Sequence, residues 1–174
     1  MRLLGAVLAG GQSSRFGSDK ALAVFAGQPL IGHVSAALAA ECEDVVVCGR
    51  DWPGLTCLAD RPAPGLGPLG GLAAALYHAL ETDHDAVLSA SCDLPALPAG
   101  LAAALGPGPC HALGQPTLGL WPARLSPLLD AHLAAGHRSL RSWAAVCGAR
   151  AVDLGALPNI NTPGDLDRLG QAQP

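Results

Sequence analysis

The chain has 174 residues and a formal net charge of −4, with 50% hydrophobic and only 3% aromatic residues. This length suits one domain with an aliphatic core. There is no basic stripe of the kind that nucleic-acid binders carry, and no apolar run approaches the ~20 residues that span a bilayer. The six cysteines form no C-x-x-C pair, and no secretory signal is recognisable. We therefore expect free thiols in a cytoplasmic protein.

Short apolar runs and helical periodicity alternate along the first hundred residues. Strands are predicted where apolar runs end in polar or glycine-rich loops, at Leu3–Leu8, Asp44–Cys48, Leu55–Leu58 and Asp85–Ser91. Helices are predicted where apolar residues recur at helical spacing, from Pro29 onward, at Pro68–Leu80 and at about Pro98–Leu105. The strands are apolar without alternation, which indicates that both faces of their sheet are covered.

The last third of the chain has a weaker pattern. It predicts strands at Thr117–Trp121 and Ala149–Leu154, and helices at Pro122–Ala135, Arg138–Val146 and Pro163–Leu169. Thr162 would cap the last of these helices. The order of elements indicates an α/β fold of three layers with a mainly parallel central sheet, in one domain over residues 1–174. Ligands of such sheets bind beyond the carboxyl ends of the strands, so the loops at 9–20, 59–67 and 92–97 should border one crevice.

The first of these loops belongs to the segment LAGGQSSRFGSDKAL, residues 8–22. Its glycines allow a backbone whose free N–H groups surround an anion, and Arg15 and Lys20 add two positive charges. Lys20 is the only lysine in the chain. The segment matches neither the Walker pattern nor the dinucleotide fingerprint. It predicts a polyphosphate site, the alternative being a glycine-rich turn with solvated charges.

Single aspartates follow two of the other strands. Asp93, in SCDLPALP, is a natural Mg²⁺ ligand, because magnesium favours one or two carboxylates together with substrate phosphates. Asp60 would contact the ribose or the base, or assist at the metal. Either residue would also suit a structural role, Asp93 as an Asx turn or helix cap and Asp60 as a turn residue.

Five motifs occur in order: LAGGQSSRFGSDKAL, GPLGGL, CDLPALP, QPTLGLW and NINTPGDL. Together they resemble the molybdenum cofactor guanylyltransferases, from residue 4 to about residue 169. The resemblance implies a Rossmann-like nucleotidyltransferase fold, with a nucleotide half at about 1–98 and an acceptor half at about 99–174. It also implies transfer of GMP from GTP to molybdopterin with release of pyrophosphate.

The same resemblance implies roles for individual residues. The predicted GTP-binding residues are Leu8, Ala9, Gly10, Gly11, Arg15, Lys20, Asp60 and Asp93. Among them, Arg15, Lys20 and Asp93 would be catalytic, and Asp93 would hold Mg²⁺. The pterin substrate would contact Asn159, Asn161 and, by a looser match, His137 and Arg138. Cofactor-carrier proteins are candidate partners, whereas nucleic acid and membrane are not expected.

Two other interpretations stay open from the sequence. Cys48 stands where many members of this family have an asparagine near the base, so a cytidylyltransferase or another nucleotidyltransferase of the same fold is one alternative. A non-catalytic module that binds the pterin is the other, although a binding module would not need Arg15, Lys20 and Asp93 together. No side chain in the motifs is an obvious general base. Catalysis is therefore expected to depend on positioning and charge neutralisation.

Overall fold

A seven-stranded sheet forms the centre of the computed structural model, which describes residues 1–10 and 19–171. Its strands, in chain order with those of a small separate hairpin, are β1 Leu3–Leu8, β2 Val24–Phe25, β3 Gln28–Pro29, β4 Asp44–Cys48, β5 Thr56–Leu58, β6 Ala86–Ser91, β7 Cys110–Ala112, β8 Gln115–Pro122 and β9 Arg150–Val152. The sheet order is β5-β4-β1-β6-β8-β7-β9, and β2 pairs with β3 in the hairpin. Within the large sheet β8 runs antiparallel to both of its neighbours, while the other pairings are parallel.

Helices cover both faces of this sheet. They are α1 Leu30–Ala39, α2 Pro68–Glu81, α3 Leu101–Leu105, α4 Ser126–Ala134, α5 Leu140–Val146 and α6 Pro163–Gln171, with 3-10 helices at Lys20–Leu22 and Ala123–Leu125. Alternate residues of β1 belong to two separate cores: Val7 packs with α1 and α3, whereas Leu4 packs with α2, α4 and α5. All six residues of β1 are buried as a result, which explains its continuous apolar run. The predicted three-layer α/β class is confirmed.

The third helix is shorter than the sequence pattern predicts. It begins at Leu101 because Gly100 has a left-handed backbone (φ +71°), so the chain before it cannot be helical. The Glu41 carboxylate, at the end of α1, accepts the amides of Leu101 and Ala102 at 2.6 and 2.8 Å. A side chain 60 residues away in the sequence therefore satisfies the free amides of this helix, and no local pattern could reveal it.

The hairpin of β2 and β3 and the strand β7 were not predicted, whereas the three-residue strands β5 and β9 lie within predicted strands. The hairpin of β2 and β3 has two residues in each strand, and β7 has three. Such lengths contain too few residues to show a period of two. The predicted helix over 122–135 is divided into a 3-10 turn and α4, which begins at Ser126. No helix in the described part of the chain combines the length and the apolar character that a bilayer crossing requires.

The packing of α4 against α5 makes stability depend on pH. His132 is buried, its Nε2 lies 3.0 Å from the Ser142 hydroxyl, and its ring stacks on His137 with centroids 4.7 Å apart. Burial, followed by the charge of His137, lowers the pKa of His132 from its ordinary 6.5. Below that value the unfolded chain binds more protons at this residue than the folded chain does. The free energy of unfolding should therefore fall as the pH drops below about 6.5.

Chemical denaturation at pH 8 and at pH 5.5 measures this dependence. The difference between the two pH values should be smaller in His132→Gln than in the wild type. Leu128→Gln, at an exposed position on α4, changes no titratable group, so it serves as the control and should keep the wild-type difference. An equal pH dependence in His132→Gln and the wild type would show that His132 is not responsible.

Candidate functional site

Three loops leave the sheet side by side. Leu8 at the end of β1 lies opposite Cys48 of β4 on one side and Ser91 of β6 on the other, in parallel register. The loops that follow these strands therefore begin at one edge, at their carboxyl ends. The predicted loops at 9–20 and 92–97 are two of them, and the predicted loop at 59–67 begins at the same edge because Leu58 of β5 lies opposite Cys48 in parallel register.

Lys20 and Asp93 meet at this edge. Lys20 Nζ lies 3.9 Å from Asp93 Oδ2, and both side chains are largely shielded, at 18% and 24% exposure. Lys20 Nζ also lies 3.4 Å from Asn161 Oδ1, a long hydrogen bond. The Ile160 amide donates to the Asp93 carbonyl at 2.8 Å, which ties the Asn-x-Asn segment to the same loop. The first, third and last motifs thus converge on one place.

The Ser91 hydroxyl, which lies next to the Thr117 hydroxyl, holds the Asp93 carboxylate in place. Ser91 Oγ donates to Asp93 Oδ1 and lies 2.8 Å from Thr117 Oγ1 on β8. This contact engages one carboxylate oxygen and leaves Oδ2 on the side of Lys20. A single carboxylate oxygen in a cleft is a ligand set that fits Mg²⁺, provided that substrate phosphates and water complete the shell. The residues present therefore fit the predicted metal.

A cleft of about 710 Å³, including its open mouth, connects these groups. Five of the predicted GTP-binding residues line it: Leu8, Ala9, Gly10, Lys20 and Asp93. Ser91 and Thr117 also line it, so the hydroxyl pair borders the same space. Two further predicted residues, Gly11 and Arg15, lie outside the described residues.

Asp60 lines a neighbouring pocket of about 640 Å³, together with Gly49, Arg50 and Gly65. Its Oδ1 is buried and has no hydrogen-bond partner among residues 1–10 and 19–171. Burial raises the pKa of Asp60, and the amides of Gly65 and Leu66 oppose this shift. A shielded carboxylate oxygen with unused acceptor capacity suits a ligand that brings N–H or O–H donors.

Cys48 does not face either pocket. It is 1% exposed, and a methyl group added at Gly71 of α2 would lie 3.0 Å from its Cβ, so the helix packs directly over it. Burial, followed by the nearby charge of Asp60, raises the pKa of the Cys48 thiol to about 12. The side chain is therefore a neutral core group, and any contact with a base must come from other residues.

The Asn-x-Asn segment is fixed by the start of α6. The Asp165 carboxylate accepts the amides of Asn161 and Thr162 at 2.9 and 2.8 Å, and the Thr162 hydroxyl at 3.0 Å. These hydrogen bonds lower the pKa of Asp165 to about 2. Asn159 is half-buried, and its Oδ1 lacks a partner within the described ranges. Both asparagines flank Ile160, so the segment borders the loop of Asp93.

Arg138 is placed elsewhere by its contacts. Its guanidinium donates to the carbonyls of Leu133 and His137 at 2.7 and 2.8 Å, within the connection between α4 and α5. The described contacts do not join it to Lys20 or Asp93. The role of Arg138 at the acceptor site, like that of His137, stays a prediction.

Four residues near the site were not found from the sequence as contributors to it: Asp19, Arg50, Ser91 and Thr117. Asp19 stands beside Lys20 in the first motif, and Thr117 lies in QPTLGLW, so motif membership could have indicated both. Ser91 ends β6 two residues before Asp93, which is a local signal for a hydroxyl-to-carboxylate contact. Arg50 is joined to Asp19 across 31 residues, and that pairing depends on the order of the strands.

Comparison with known proteins is consistent with this geometry. The model of the MobA-like NTP transferase domain matches residues 5–152. A molybdenum cofactor guanylyltransferase of Rhodobacter capsulatus is 39% identical over 193 aligned positions, with 100% of both chains covered. A probable molybdenum cofactor guanylyltransferase of Deinococcus radiodurans is 38% identical, covering 96% of this chain and 93% of that protein.

A solved structure shares the fold. The molybdopterin-guanine dinucleotide biosynthesis protein A of Archaeoglobus fulgidus superimposes with a TM-score of 0.76 over 97% of each chain, at 19% identity. Since the domain model and the two relatives match most or all of the sequence, this chain belongs to the family of the MobA-like NTP transferase domain.

Proposed function

We propose that this chain transfers a guanylyl group from GTP to the phosphate of molybdopterin and releases pyrophosphate. The observation that carries the proposal is the meeting of Lys20 and Asp93 in one cleft at the carboxyl edge of the sheet. A cation and an acid 3.9 Å apart, beside a glycine-rich segment, can bind phosphates and their metal together. The names of the full-length relatives supply the substrate class.

The chemistry is displacement at the α-phosphorus of GTP. An oxygen of the acceptor phosphate forms a bond to that phosphorus, the bond to the β-phosphate oxygen breaks, and pyrophosphate leaves with the electron pair. The acceptor is a phosphate monoester that is largely ionised at neutral pH, so no side chain has to remove a proton. The work of the protein is therefore to align the two phosphates and to compensate their charge.

Lys20 and Asp93 divide this work in the proposal. Lys20 would bind the oxygens of the pyrophosphate and balance the charge that develops as it leaves. Arg15, outside the described residues, would add a second positive charge. Asp93 would hold Mg²⁺, which when bound neutralises phosphate charge. Ser91 would keep the carboxylate turned so that Oδ2 faces the phosphates.

Asp60 is the group proposed to bind the nucleoside, and its chemistry favours guanine. Guanine presents N–H donors at N1 and at the neighbouring amino group, which one carboxylate can accept together, whereas the same edge of cytosine has one donor and two acceptors. The carboxylate oxygen Oδ1, which is buried and unpaired among the described residues, would accept one of these donors. Asn159 and Asn161 would contact the pterin, and Arg138 is a further candidate for this contact.

The proposal includes the cellular location of the enzyme and its partners. The six cysteines are free thiols, which suits the reducing cytoplasm. The substrates would be small molecules, with cofactor-carrier proteins as candidate partners.

Calorimetric titration with GTP, CTP and ATP, each with and without Mg²⁺, tests the proposal. GTP with Mg²⁺ should bind most tightly, and Asp60→Asn should lose most of the preference for GTP over CTP. Removing Mg²⁺ should weaken GTP binding in the wild type, and Asp93→Ala should abolish that dependence. Equal affinity for the three nucleotides would contradict guanylyl transfer. Binding of GTP that does not depend on the metal would show that Asp93 does not hold Mg²⁺ for the nucleotide.

A further inference from the structure

Arg50 and Asp19 form a two-pronged ion pair at the rim of the cleft. Arg50 Nη1 donates to Asp19 Oδ1 at 2.7 Å, and Nη2 donates to Oδ2 at 2.6 Å. Arg50 stands two residues after the end of β4, and Asp19 directly precedes Lys20. The pair therefore joins the central sheet to the residue next to the lysine.

Asp19 also shapes the turn that contains Lys20. Its Oδ1 accepts the amide of Ala21 at 3.3 Å, and its carbonyl accepts the amide of Leu22 at 3.1 Å. These bonds cap and close the 3-10 helix Lys20–Leu22. Because Asp19 is the cap of this single turn, a displacement of Asp19 would displace Lys20 with it.

The geometry of the pair suits a positioning role better than a role in overall stability. Exposed ion pairs contribute little to folding, and the Asp19 side chain is 46% exposed. A bidentate guanidinium–carboxylate contact nevertheless fixes both partners in direction. Arg50 is more shielded, at 21%, so its end of the pair is held by the sheet. The contact can therefore fix the position of Asp19 although it adds little to the free energy of unfolding.

The charge of Arg50 is already matched by Asp19. The Asp19 carboxylate accepts both terminal nitrogens of the guanidinium, so those donors are engaged and not directed at the phosphates. Lys20, by contrast, faces Asp93 and Asn161 within the cleft. We therefore expect Arg50 to affect a bound triphosphate through Asp19 and the turn, which the two hydrogen bonds connect to it.

We propose that Arg50 is a positioning residue that acts through Asp19 to hold Lys20 Nζ opposite Asp93. The inference rests on the proposed function only in taking Lys20 as the ligand of the phosphates. The proposal has a mechanical part, that Arg50 orders the turn at residues 19–22. This part applies to the protein without any bound nucleotide.

Hydrogen exchange tests the mechanical part. In Arg50→Met, the amides of Ala21 and Leu22 should exchange about tenfold faster or more, because the turn loses its attachment to β4. Asp19→Asn retains an oxygen that can cap the turn but loses the ion pair, and it should give the same increase. Arg141→Met, at an exposed position on α5, is the matched control and should leave both amides unchanged. Unchanged exchange in Arg50→Met would overturn the proposal.

Turnover tests the functional part. Arg50→Met and Asp19→Asn should each lower kcat/KM for GTP by about tenfold or more, with Arg50→Lys in between because it keeps the charge but not the fork. The double variant should be no more than about twofold below either single one, since both lose one contact. If the loss of kcat/KM in the double variant equalled the product of the two single losses, Arg50 would act independently of Asp19. An inactive wild type with the expected exchange changes would reject the proposed function and leave the positioning of Lys20 standing.

Discussion

Lys20→Ala and Asp93→Ala are each expected to lower turnover on the order of 10²-fold or more while the fold remains intact. Lys20 is the charge that would compensate the leaving pyrophosphate, and Asp93 is the carboxylate that would hold Mg²⁺. A water molecule that fills the space of either side chain would not carry its charge, and both side chains are largely shielded, at 18% and 24% exposure. Steady-state release of pyrophosphate from GTP and molybdopterin measures the loss.

Stability should change little in these two variants because neither side chain belongs to the apolar cores that hold the sheet and helices together. Thermal unfolding of each variant checks this expectation. Asp167→Ala removes an exposed acid on α6 and is the matched control, with turnover equal to the wild type. Near-normal turnover in Lys20→Ala or Asp93→Ala would exclude that residue from the chemistry.

Gly49→Ala is expected to reduce GTP binding severely. Gly49 has a φ of +84°, and a Cβ added there would lie 2.5 Å from Gly10 Cα and 3.3 Å from Asp60 Oδ1. The first contact is with main chain, so the glycine-rich segment would have to move away from β4. The second would crowd the carboxylate proposed to bind the nucleoside. We expect an affinity loss on the order of 10²-fold from this displacement, as for other misplaced binding groups.

Gly54→Ala separates the steric effect from backbone strain. Gly54 has nearly the same φ, +83°, but nothing lies within 4 Å of an added Cβ. Both variants should therefore lose about 1 kcal/mol of stability from the left-handed backbone. Titration of GTP should be near normal for Gly54→Ala and weak for Gly49→Ala. Equal affinities in the two variants would show that the contact between Gly49 and Gly10 does not shape the binding site.

The sequence was informative where a pattern is local. β1 and β6 were predictable because buried parallel strands are continuous apolar runs, and the sheet class followed from their alternation with helices. The convergence of Lys20 and Asp93 was predictable because parallel strands bring their carboxyl ends to one edge. The general rule for the sheet thus predicted the proximity of two residues 73 positions apart.

The sequence did not predict those side-chain contacts that depend on which strands are neighbours in the sheet. The pairing of Arg50 with Asp19 requires β4 to lie beside β1, and the capping of α3 by Glu41 requires α1 and α3 to share a face. The hydroxyl contact between Ser91 and Thr117 requires β8 to pair with β6 in an antiparallel register. None of these follows from spacing in the chain.

The burial of Cys48 also needed the structure. From the sequence alone, a cysteine at the end of a strand beside the proposed nucleotide site could have been a contact for the base. In the fold, α2 packs over the thiol at Gly71, whereas Asp60, together with Arg50 and Asp51, lines the neighbouring pocket. The proposal therefore assigns the choice of base to Asp60 and not to Cys48.

Pyrophosphate release from GTP together with molybdopterin is the most direct measurement of the central claim. We predict that GTP gives pyrophosphate and a guanine dinucleotide in equal amounts, and only when molybdopterin is also present. Pyrophosphate should be released more rapidly with GTP than with CTP. Absence of pyrophosphate from the complete mixture would contradict the assignment as a nucleotidyltransferase. Faster release of pyrophosphate with CTP than with GTP would contradict the specificity for guanylyl transfer.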